Sequence, residues 1–387
     1  MPDHQMLDHQ MSGTHDRALD ALLKRGRLRN LEPRRGLDFA SNDYLGLAES
    51  QDLRDAVTAA LARGVPVGAG GSRLLRGNHP EHEALEAEAA QFFGAETALF
   101  FGGGFIANTA IFSTLPARGD LIVHDALIHA SAHEGMRLSK AEAVSAAHND
   151  PQSFDDAIAA WRTRGGTGQP WLAVESLYSM DGDRAPLDDL IAIADRHDGV
   201  LVIDEAHATG VFGPDGRGLG AHLEGRANVI SLHTCGKALG VMGALVLAPR
   251  GVRDFLVNRA KAFIYATAPS PLVAATVRAA LLLAHTQPER REALFERIAF
   301  AARELQSKSM ITASGSQIQP VIVGSDARAV ALADALKARG YDIRAIRPPT
   351  VPEGTARLRL TITNNVSHDD LAHIIAAIAD AQAEIAA

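Results

Sequence analysis

Seven short apolar runs recur along the first two thirds of the chain, each long enough for one β-strand. Several are rich in β-branched residues, and amphipathic segments of helix length separate most of them, at intervals of about 25 residues. This alternation is typical of βαβ units, so we predict a mostly parallel sheet covered by helices on both faces. The predicted strands span residues 96–101, 120–125, 143–148, 171–176, 200–205, 229–234 and 243–248.

The last two apolar runs stand too close together for a crossover helix. Only eight residues separate them, so the strand over 243–248 is predicted to return antiparallel or at an edge of the sheet. Ahead of the first strand, the sequence predicts a helix that carries Leu85, Ala89 and Phe92 on one apolar face and ends at Gly94.

The pattern changes after about Pro271 and predicts a second, smaller domain of mixed helices and strands. We therefore divide the chain into an N-terminal segment (1–40), a large domain (41–271) and a small C-terminal α+β domain (272–387), in the α/β fold class. The first ten residues are polar and rich in histidine, and we expect them to form an irregular extension. The elements predicted for the small domain are a helix, a strand over 317–324, a helix over 327–340, strands over 342–347 and 357–363, and a final helix.

Composition excludes several classes of function. The chain has 387 residues, a formal net charge of -8 and a pI near 6.0. The acidic balance and the lack of a basic run interleaved with aromatic residues argue against nucleic-acid and anionic-membrane partners. No apolar stretch reaches the roughly 18 residues of a membrane span. The single cysteine, Cys235, excludes an internal disulfide and a multi-cysteine metal site, and with the polar N-terminus it predicts a cytoplasmic protein.

Polar side chains collect where the predicted parallel strands end. Ligands of such sheets bind beyond the carboxyl ends of the strands, so we expect these side chains to meet at one site. The first strand leads into glycines at 102–104 ahead of an apolar helix, whose N-terminal N–H groups would suit a phosphate, although three glycines also fit an ordinary turn. The polar positions at the other strand ends are Asp125, His129, Ser176, Ser179, Asp204, His207, Thr234 and Lys237.

Lys237 and Asp204 give this edge a chemical interpretation. No acidic residue lies within five positions of Lys237, so this lysine either reaches into solvent or acts, once desolvated, as a Schiff-base nucleophile. Asp204 ends an apolar strand, where a buried carboxylate needs a cation or a strong donor such as a protonated pyridine nitrogen. A phosphate cradle, a Schiff-base lysine and a carboxylate for a ring nitrogen together match pyridoxal 5′-phosphate (PLP).

Five motifs resemble those of the α-oxoamine synthases, a family of fold-type-I PLP-dependent enzymes. The resemblance extends from about residue 16 to the end of the chain. It implies an aspartate-aminotransferase-like fold, with a seven-stranded, mostly parallel sheet in the large domain, and a homodimer that shares its active sites. The motifs are D-E-A-H-A-T-G-V-F-G (204–213), S-M-D-G-D (179–183), T-C-G-K-A-L-G (234–240), A-S-N-D-Y-L-G-L (40–47) and I-H-A-S (128–131).

The resemblance also implies an activity, because the family condenses an amino acid with an acyl thioester and releases CO2. The closing stretch A-I-R-P-P-T-V-P-E-G-T-A-R-L-R-L (345–360) is most similar to the members that join L-alanine to pimeloyl-CoA in biotin biosynthesis. Two alternatives stay open. One is a glycine-dependent member, such as a 2-amino-3-ketobutyrate ligase (glycine C-acetyltransferase) or a 5-aminolevulinate synthase, and the other is a non-catalytic binding or regulatory protein on the same fold.

The resemblance assigns cofactor roles residue by residue. Lys237 would hold PLP covalently as a Schiff base and move the proton at the substrate Cα, Asp204 would pair with the pyridine nitrogen, and His129 would stack on the ring. The other contacts it implies are His207 and Ser179 at the 3′ oxygen, Gly104, Phe105 and Thr234 at the phosphate, and Thr267 from a second subunit.

Substrate roles follow from the same resemblance. Asn42 would lie near the substrate, and Arg359 would meet the amino-acid carboxylate by a bidentate pair, which an arginine forms better than a lysine. Arg29, Arg347 and Thr350 would line the acyl-CoA side.

The sequence departs from the family pattern at two places. Cys235, where relatives often carry Phe or Leu, is interpreted as a small buried apolar residue. The glycine-rich loop over 68–78 varies in its interior, which leaves the acyl-chain preference open.

His124, His129 and His133 have a spacing that suggests metal ligands, but no carboxylate cluster accompanies them, and we expect no metal.

Overall fold

The computed structural model describes residues 3–309 and 311–386. The chain divides into two compact units. The large unit comprises Asn42–Ile298 and Thr363–Asn365, and the small unit comprises Met1–Ser41, Ala299–Ile362 and Val366–Ala387. Within the described residues, no helix combines the length and the apolarity needed to cross a membrane.

The N-terminal segment, which belongs to the small unit, contains helix α1 (Asp3–Lys24) and the two-residue strand β1 (Leu37–Asp38). Residues 3–10, for which we expected an irregular extension, are therefore helical, while residues 1 and 2 lie outside the described part of the chain. Between Pro2 and Gly13 no glycine or proline interrupts the sequence, so nothing there breaks a helix.

The large unit is built on a sheet of seven strands, mostly parallel, as predicted. Its strands are β2 (Thr97–Phe101), β3 (Leu121–Asp125), β4 (Glu142–Ala146), β5 (Pro170–Glu175), β6 (Val200–Asp204), β7 (Val229–Thr234) and β8 (Ala244–Ala248). The strand order is β2-β8-β7-β6-β5-β3-β4, and β8 runs antiparallel to both of its neighbours. Of the two alternatives predicted for β8, the antiparallel return is correct, and the strand lies inside the sheet.

Helices cover both faces of this sheet because most of its strands are apolar throughout and successive side chains point to opposite faces. Ala173 and Val202 belong to the cluster formed with α4, α5, α8 and α9 on one face, and Leu172 and Leu201 pack with α6 and α7 on the other. From α2 onward, the helices of this part of the chain are α2 (Gln51–Ala62), α3 (Pro80–Phe93), α4 (Gly104–Thr114), α5 (Ala130–Leu138), α6 (Pro151–Thr163), α7 (Leu187–Arg196), α8 (Arg250–Arg259), α9 (Lys261–Ile264), α10 (Pro271–Thr286) and α11 (Glu289–Ser309). Of α11, the residues up to Ile298 belong to the large unit and the rest to the small unit.

Helix α3 ends at Gly94 as predicted, where a φ of 86° favours glycine. Its buried face differs from the prediction by one residue. Leu85, Ala89 and Phe93 follow one another at intervals of four and are fully buried, whereas Phe92 is half-buried and packs its ring against that of Phe93.

The small unit contains the predicted α+β elements with two changes. The helix predicted directly after Pro271 is α10, which belongs to the large unit. The segment over 342–347, predicted as one strand, forms two short strands that pair in different sheets: β10 runs parallel to β1, and β11 pairs with β12 in the antiparallel sheet β11-β12-β9. The elements are β9 (Ile318–Gly324), α12 (Asp326–Ala338), β10 (Tyr341–Asp342), β11 (Ala345–Ile346), β12 (Ala356–Thr361) and α13 (His368–Ala386).

Helix α10 explains why the large unit extends to Ile298, beyond the boundary we placed after residue 271. Leu272 and Ala275 of α10 pack against Ala60 and Val65 at the end of α2, so the apolar face of this helix is buried within the large unit.

Candidate active site

A cavity of about 440 Å³ lies at the carboxyl ends of the parallel strands in the large unit. This is the edge of the sheet where the sequence predicted a site. The cavity wall contains eight of the predicted site residues, namely Asn42, Gly104, Phe105, His129, Asp204, His207, Thr234 and Lys237.

A larger depression, of about 850 Å³, lies among α2, α3 and α10 in the same unit. Both of its glutamates are already paired, since Arg278 binds Glu81 and Glu88 and Arg63 binds Glu81. The smaller cavity is therefore the better candidate for chemistry, because it collects a lysine, two carboxylates and two histidines.

One end of the cavity is formed by the N-terminus of α4. The helix begins after Gly103, which has no side chain with which to cap the first N–H groups. A Cβ atom at Gly104 would lie 2.5 Å from Cγ2 of Thr234, so the glycine allows Thr234 to pack directly against the start of the helix. Backbone N–H groups, the helix dipole and a threonine hydroxyl together form a suitable site for a phosphate.

Asp204 forms the floor of the cavity at the end of β6, where it is buried. Its Oδ2 accepts a hydrogen bond from Nδ2 of Asn108 at 2.7 Å, and its Oδ1 accepts one from the backbone N–H of Ala206 at 2.9 Å. Asn108 was not predicted as a site residue. It lies one helical turn after Gly104 in α4, so both residues are on the face of the helix that lines the cavity.

Asn108 also links Asp204 to His129. Its Nδ2 donates to Oγ of Ser131 at 2.9 Å, and Oγ of Ser131 lies 2.8 Å from Nδ1 of His129. The backbone N–H of Ser131 donates to the same Nδ1 at 3.2 Å, which makes His129 the N-cap of α5. Because Nδ1 accepts these bonds, a neutral His129 carries its proton on Nε2.

The His129 side chain is exposed within the cavity. The surrounding protein still reduces its hydration, and this desolvation, together with the charge of Lys237, lowers the pKa of His129 against the opposing attraction of Asp204. The histidine therefore presents an uncharged ring to the cavity at neutral pH.

His207 is held by a second network, which involves the motif at 40–47. Its Nδ1 lies 2.6 Å from the hydroxyl of Tyr44, which donates to Oδ1 of Asn42 at 3.0 Å. When the hydroxyl proton goes to Asn42, the Tyr44 oxygen accepts from Nδ1–H of His207. Tyr44 is fully buried and was not predicted, although it stands inside a motif we had singled out.

Lys237 follows β7 by three residues and lies half-buried in the cavity wall. Two residues before it, Cys235 is fully buried, and burial raises the pKa of its thiol above the ordinary value. This agrees with the interpretation of Cys235 as a small apolar residue.

Ser179 and Glu175 connect the end of β5 to the cavity. Ser179 is buried, and its backbone N–H donates to Oε2 of Glu175 at 3.0 Å. Ser179 does not line the cavity, whereas Glu175, which was not predicted, does.

The remaining predicted residues lie outside this cavity. Thr267 is exposed in the loop between α9 and α10. In the small unit, Arg29 donates to Oγ1 of Thr350 at 3.2 Å, and Arg347 donates to the carbonyl of Gly26. Arg359 is buried in β12, where its Nη1 donates to Oγ1 of Thr361 at 2.9 Å.

A charged triad supports the loops beside the cavity. Nδ1 of His148 lies 2.9 Å from Oδ1 of Asp125, and Nε2 lies 2.8 Å from Oδ2 of Asp183. Although burial acts in the opposite direction, the bonds to the two carboxylates raise the pKa of His148 to about 10. Asp125, predicted at a strand end, thus belongs to this triad rather than to the cavity wall.

Comparison with known proteins places this architecture in a family. The model of the aminotransferase class I and II family matches residues 34–378. An 8-amino-7-oxononanoate synthase of Chromobacterium violaceum is 43% identical over 335 residues, covering 86% of each chain. One of Mycolicibacterium smegmatis is 42% identical over 339 residues, covering 87% of this chain and 86% of the relative.

Solved structures agree with this placement. The 8-amino-7-oxononanoate synthase of Francisella tularensis superposes with a TM-score of 0.77 at 27% identity, covering 90% of this chain and 98% of that one. A serine palmitoyltransferase of S. paucimobilis, solved with bound PLP and myriocin, gives a TM-score of 0.84 at 27% identity, covering 90% of this chain and 87% of the other. The chain thus has the fold-type-I scaffold of PLP-dependent enzymes and belongs to the class I and II aminotransferase family, among relatives named 8-amino-7-oxononanoate synthase.

Proposed function

We propose that this protein is a PLP-dependent acyltransferase that condenses L-alanine with pimeloyl-CoA, or another pimeloyl thioester, to give 8-amino-7-oxononanoate, CoA and CO2, a reaction of biotin biosynthesis. A C–C bond forms between Cα of alanine and the thioester carbonyl carbon, the C–S bond breaks, and the alanine carboxylate leaves as CO2. The observation that carries the proposal is the single cavity that brings Lys237, Asp204, His129 and Thr234 to the N-terminus of α4.

The side chains of this cavity fit PLP. The start of α4 with Thr234 suits the phosphate, Asp204 suits a protonated ring nitrogen, and the uncharged ring of His129 suits an aromatic face. Lys237 is the proposed point of covalent attachment. When bound there, PLP supplies an electron sink for the negative charge that develops at Cα.

Each residue then has a defined task. Nζ of Lys237 takes the proton from Cα of alanine and later returns a proton to the same carbon. Asp204, fixed by Asn108 and Ala206, offers its carboxylate to the protonated ring nitrogen. His207, held by Tyr44, binds the cofactor's 3′ oxygen, and Gly104 and Phe105 offer their N–H groups to the phosphate. Ser179, which the sequence predicts at the same 3′ oxygen, keeps that role as a prediction, although it lies outside the cavity wall. These residue roles all belong to the proposal.

The substrate contacts remain as the sequence predicted them. Arg359 is the proposed partner of the alanine carboxylate and Asn42 a neighbour of the substrate. Arg29, Arg347 and Thr350 are proposed for the acyl-CoA side, and their mutual proximity within the small unit supports a shared role.

A homodimer with shared active sites is also part of the proposal, with Thr267 reaching the partner's cofactor. In the cavity wall, Phe105 and Met242 are 54% and 68% exposed, and Tyr265, two residues before Thr267, is 80% exposed. Such exposure is unusual for large apolar side chains and suits a covered surface. A cytoplasmic setting, which the sequence predicts, completes the proposal.

The test is the visible spectrum of the purified, PLP-loaded protein as L-alanine, glycine and L-serine are added separately, followed by pimeloyl-CoA with analysis of the products. We expect a spectral response selective for alanine, and 8-amino-7-oxononanoate and CO2 in equal amounts. Lys237→Ala is expected to abolish turnover and the absorbance of covalently bound PLP while the far-UV circular dichroism stays unchanged.

Two other outcomes would contradict different parts of the proposal. A response selective for glycine or serine would contradict the proposed substrate while leaving the family and the cofactor in place. Normal turnover by the Lys237→Ala protein would contradict the proposed chemistry altogether.

A further inference from the structure

Two carboxylic acids lie side by side on the floor of the cavity. Glu175 and Asp204 are the last residues of the parallel neighbours β5 and β6 and stand in register with one another. Residues in register on adjacent strands point to the same face of the sheet, about 5 Å apart at Cα. Both residues line the cavity, and both are buried.

The two carboxyl groups have different hydrogen-bond partners. Both oxygens of Asp204 accept hydrogen bonds, from Asn108 and Ala206. For Glu175, Oε2 accepts the N–H of Ser179, but Oε1 is buried and bonded to none of the residues that the structure describes. A buried carboxylate oxygen without a donor is costly, whereas a protonated oxygen in the same place is itself a donor.

Electrostatics also favour the protonated form of Glu175. Burial and the neighbouring charge of Asp204 raise the pKa of Glu175 to about 8, although the charge of Lys237 opposes them. Two adjacent carboxyl groups rarely ionise together, and the group with fewer donors retains the proton.

We propose that Glu175 is a neutral carboxylic acid at neutral pH, which donates a hydrogen bond from Oε1 to an oxygen of the cofactor in the cavity and leaves Asp204 as the only anion of the pair. This inference rests on the proposed function for the identity of the ligand alone. The protonation of Glu175 follows from the protein and does not depend on the substrates.

Infrared spectroscopy of the full-length, PLP-free protein tests the protonation directly. We expect a C=O band of a protonated carboxyl group at neutral pH that disappears with a midpoint near pH 8 and is absent from Glu175→Gln. In Asp204→Asn, the loss of the neighbouring charge should move this midpoint to lower pH, a comparison that remains available if Glu175→Gln does not fold.

Glu205 provides a matched control. It is equally buried and adjacent in sequence to Asp204, and burial raises its pKa as well. Unlike Glu175, it has hydrogen bonds at both oxygens, from Ser176, Leu219 and Gly220, and these oppose the shift. Glu205→Gln should therefore retain the titrating band. Absence of the band from the wild type, its persistence in Glu175→Gln, or its loss from Glu205→Gln would overturn the assignment.

The donor role is tested by PLP affinity. Glu175→Gln keeps a donor and should bind PLP about as well as the wild type, whereas Glu175→Met lacks one and should bind about three- to tenfold more weakly, as expected for one hydrogen bond. In the wild type the affinity should also fall as pH rises through 8, and Glu175→Gln should lack this decrease. Equal affinities of the Gln and Met variants would overturn the donor role, while failure of the alanine reaction alone would leave it intact.

Discussion

His129 and His148 follow neighbouring parallel strands of one sheet, yet their surroundings drive their charges in opposite directions. His129 lies in the cavity, where desolvation and Lys237 lower its pKa, and it accepts hydrogen bonds at Nδ1. His148 stands between two carboxylates, which raise its pKa to about 10. Both residues are histidines and both follow a strand, so neither property explains the difference. The partners that other segments supply decide whether such a histidine is a neutral ring or a structural cation.

We expect the largest effect, a loss of catalytic efficiency, from substitution of His129. In His129→Asn the side-chain oxygen still caps α5, because it accepts the N–H of Ser131, but the ring is lost. We expect kcat/KM to fall about a hundredfold, the order of effect that accompanies loss of a positioning group. The free energy of unfolding, measured in urea, should change by less than about 1 kcal/mol. Unchanged kinetics would contradict the placement of this ring at the cofactor.

His148 should show the reverse pattern, with the main effect on stability. In His148→Gln the cation is lost, and Asp125 is left buried with weaker partners, so we expect the free energy of unfolding to fall by about 2 kcal/mol. His222→Gln is the matched control, because His222 and Asp188 form a similar pair on the surface, and its effect should stay below about 0.5 kcal/mol. Equal losses in the two variants would remove the distinction between the triad and a surface ion pair.

The same triad predicts a pH dependence of stability. The folded-state pKa of His148 lies above its ordinary value of 6.5, so its contribution is complete below pH 6.5 and is lost progressively as pH rises to about 10. Urea unfolding measured across this interval should show a decline for the wild type that is smaller for His148→Gln. Parallel curves for the two proteins would mean that the charge of His148 does not stabilise the fold.

The contrast between the two histidines also shows how far the sequence could predict this molecule. The apolar runs predicted the sheet, and the polar residues after them predicted the cavity, because the carboxyl ends of parallel strands meet at one edge. Asp204, His207, Thr234 and Lys237 were found in this way.

The residues that were missed depend on contacts between distant segments. Asn108 is 96 positions from Asp204, and Tyr44 is 163 positions from His207, so neither pair forms a local pattern. Glu175 closes an apolar strand as Asp204 does, and that shared position was the available signal, but only the register of β5 and β6 places the two acids together.

The smallest effect concerns the hydrogen bond that keeps His129 neutral. Protonation of Nδ1 would cost the bond from Oγ of Ser131, so this bond favours the uncharged ring, and Ser131→Ala should raise the pKa of His129. If the neutral ring is the active form, the acid limb of the pH profile of kcat/KM moves to higher pH, and activity on that limb falls about threefold, the equivalent of one hydrogen bond. Activity on the alkaline side should not change, because the backbone N–H of Ser131 still orients the ring. An equal loss of activity at all pH values would show that Ser131 acts on the position of the ring and not on its charge. The contrast with His148 would then rest on the desolvation of His129 and the charge of Lys237 alone.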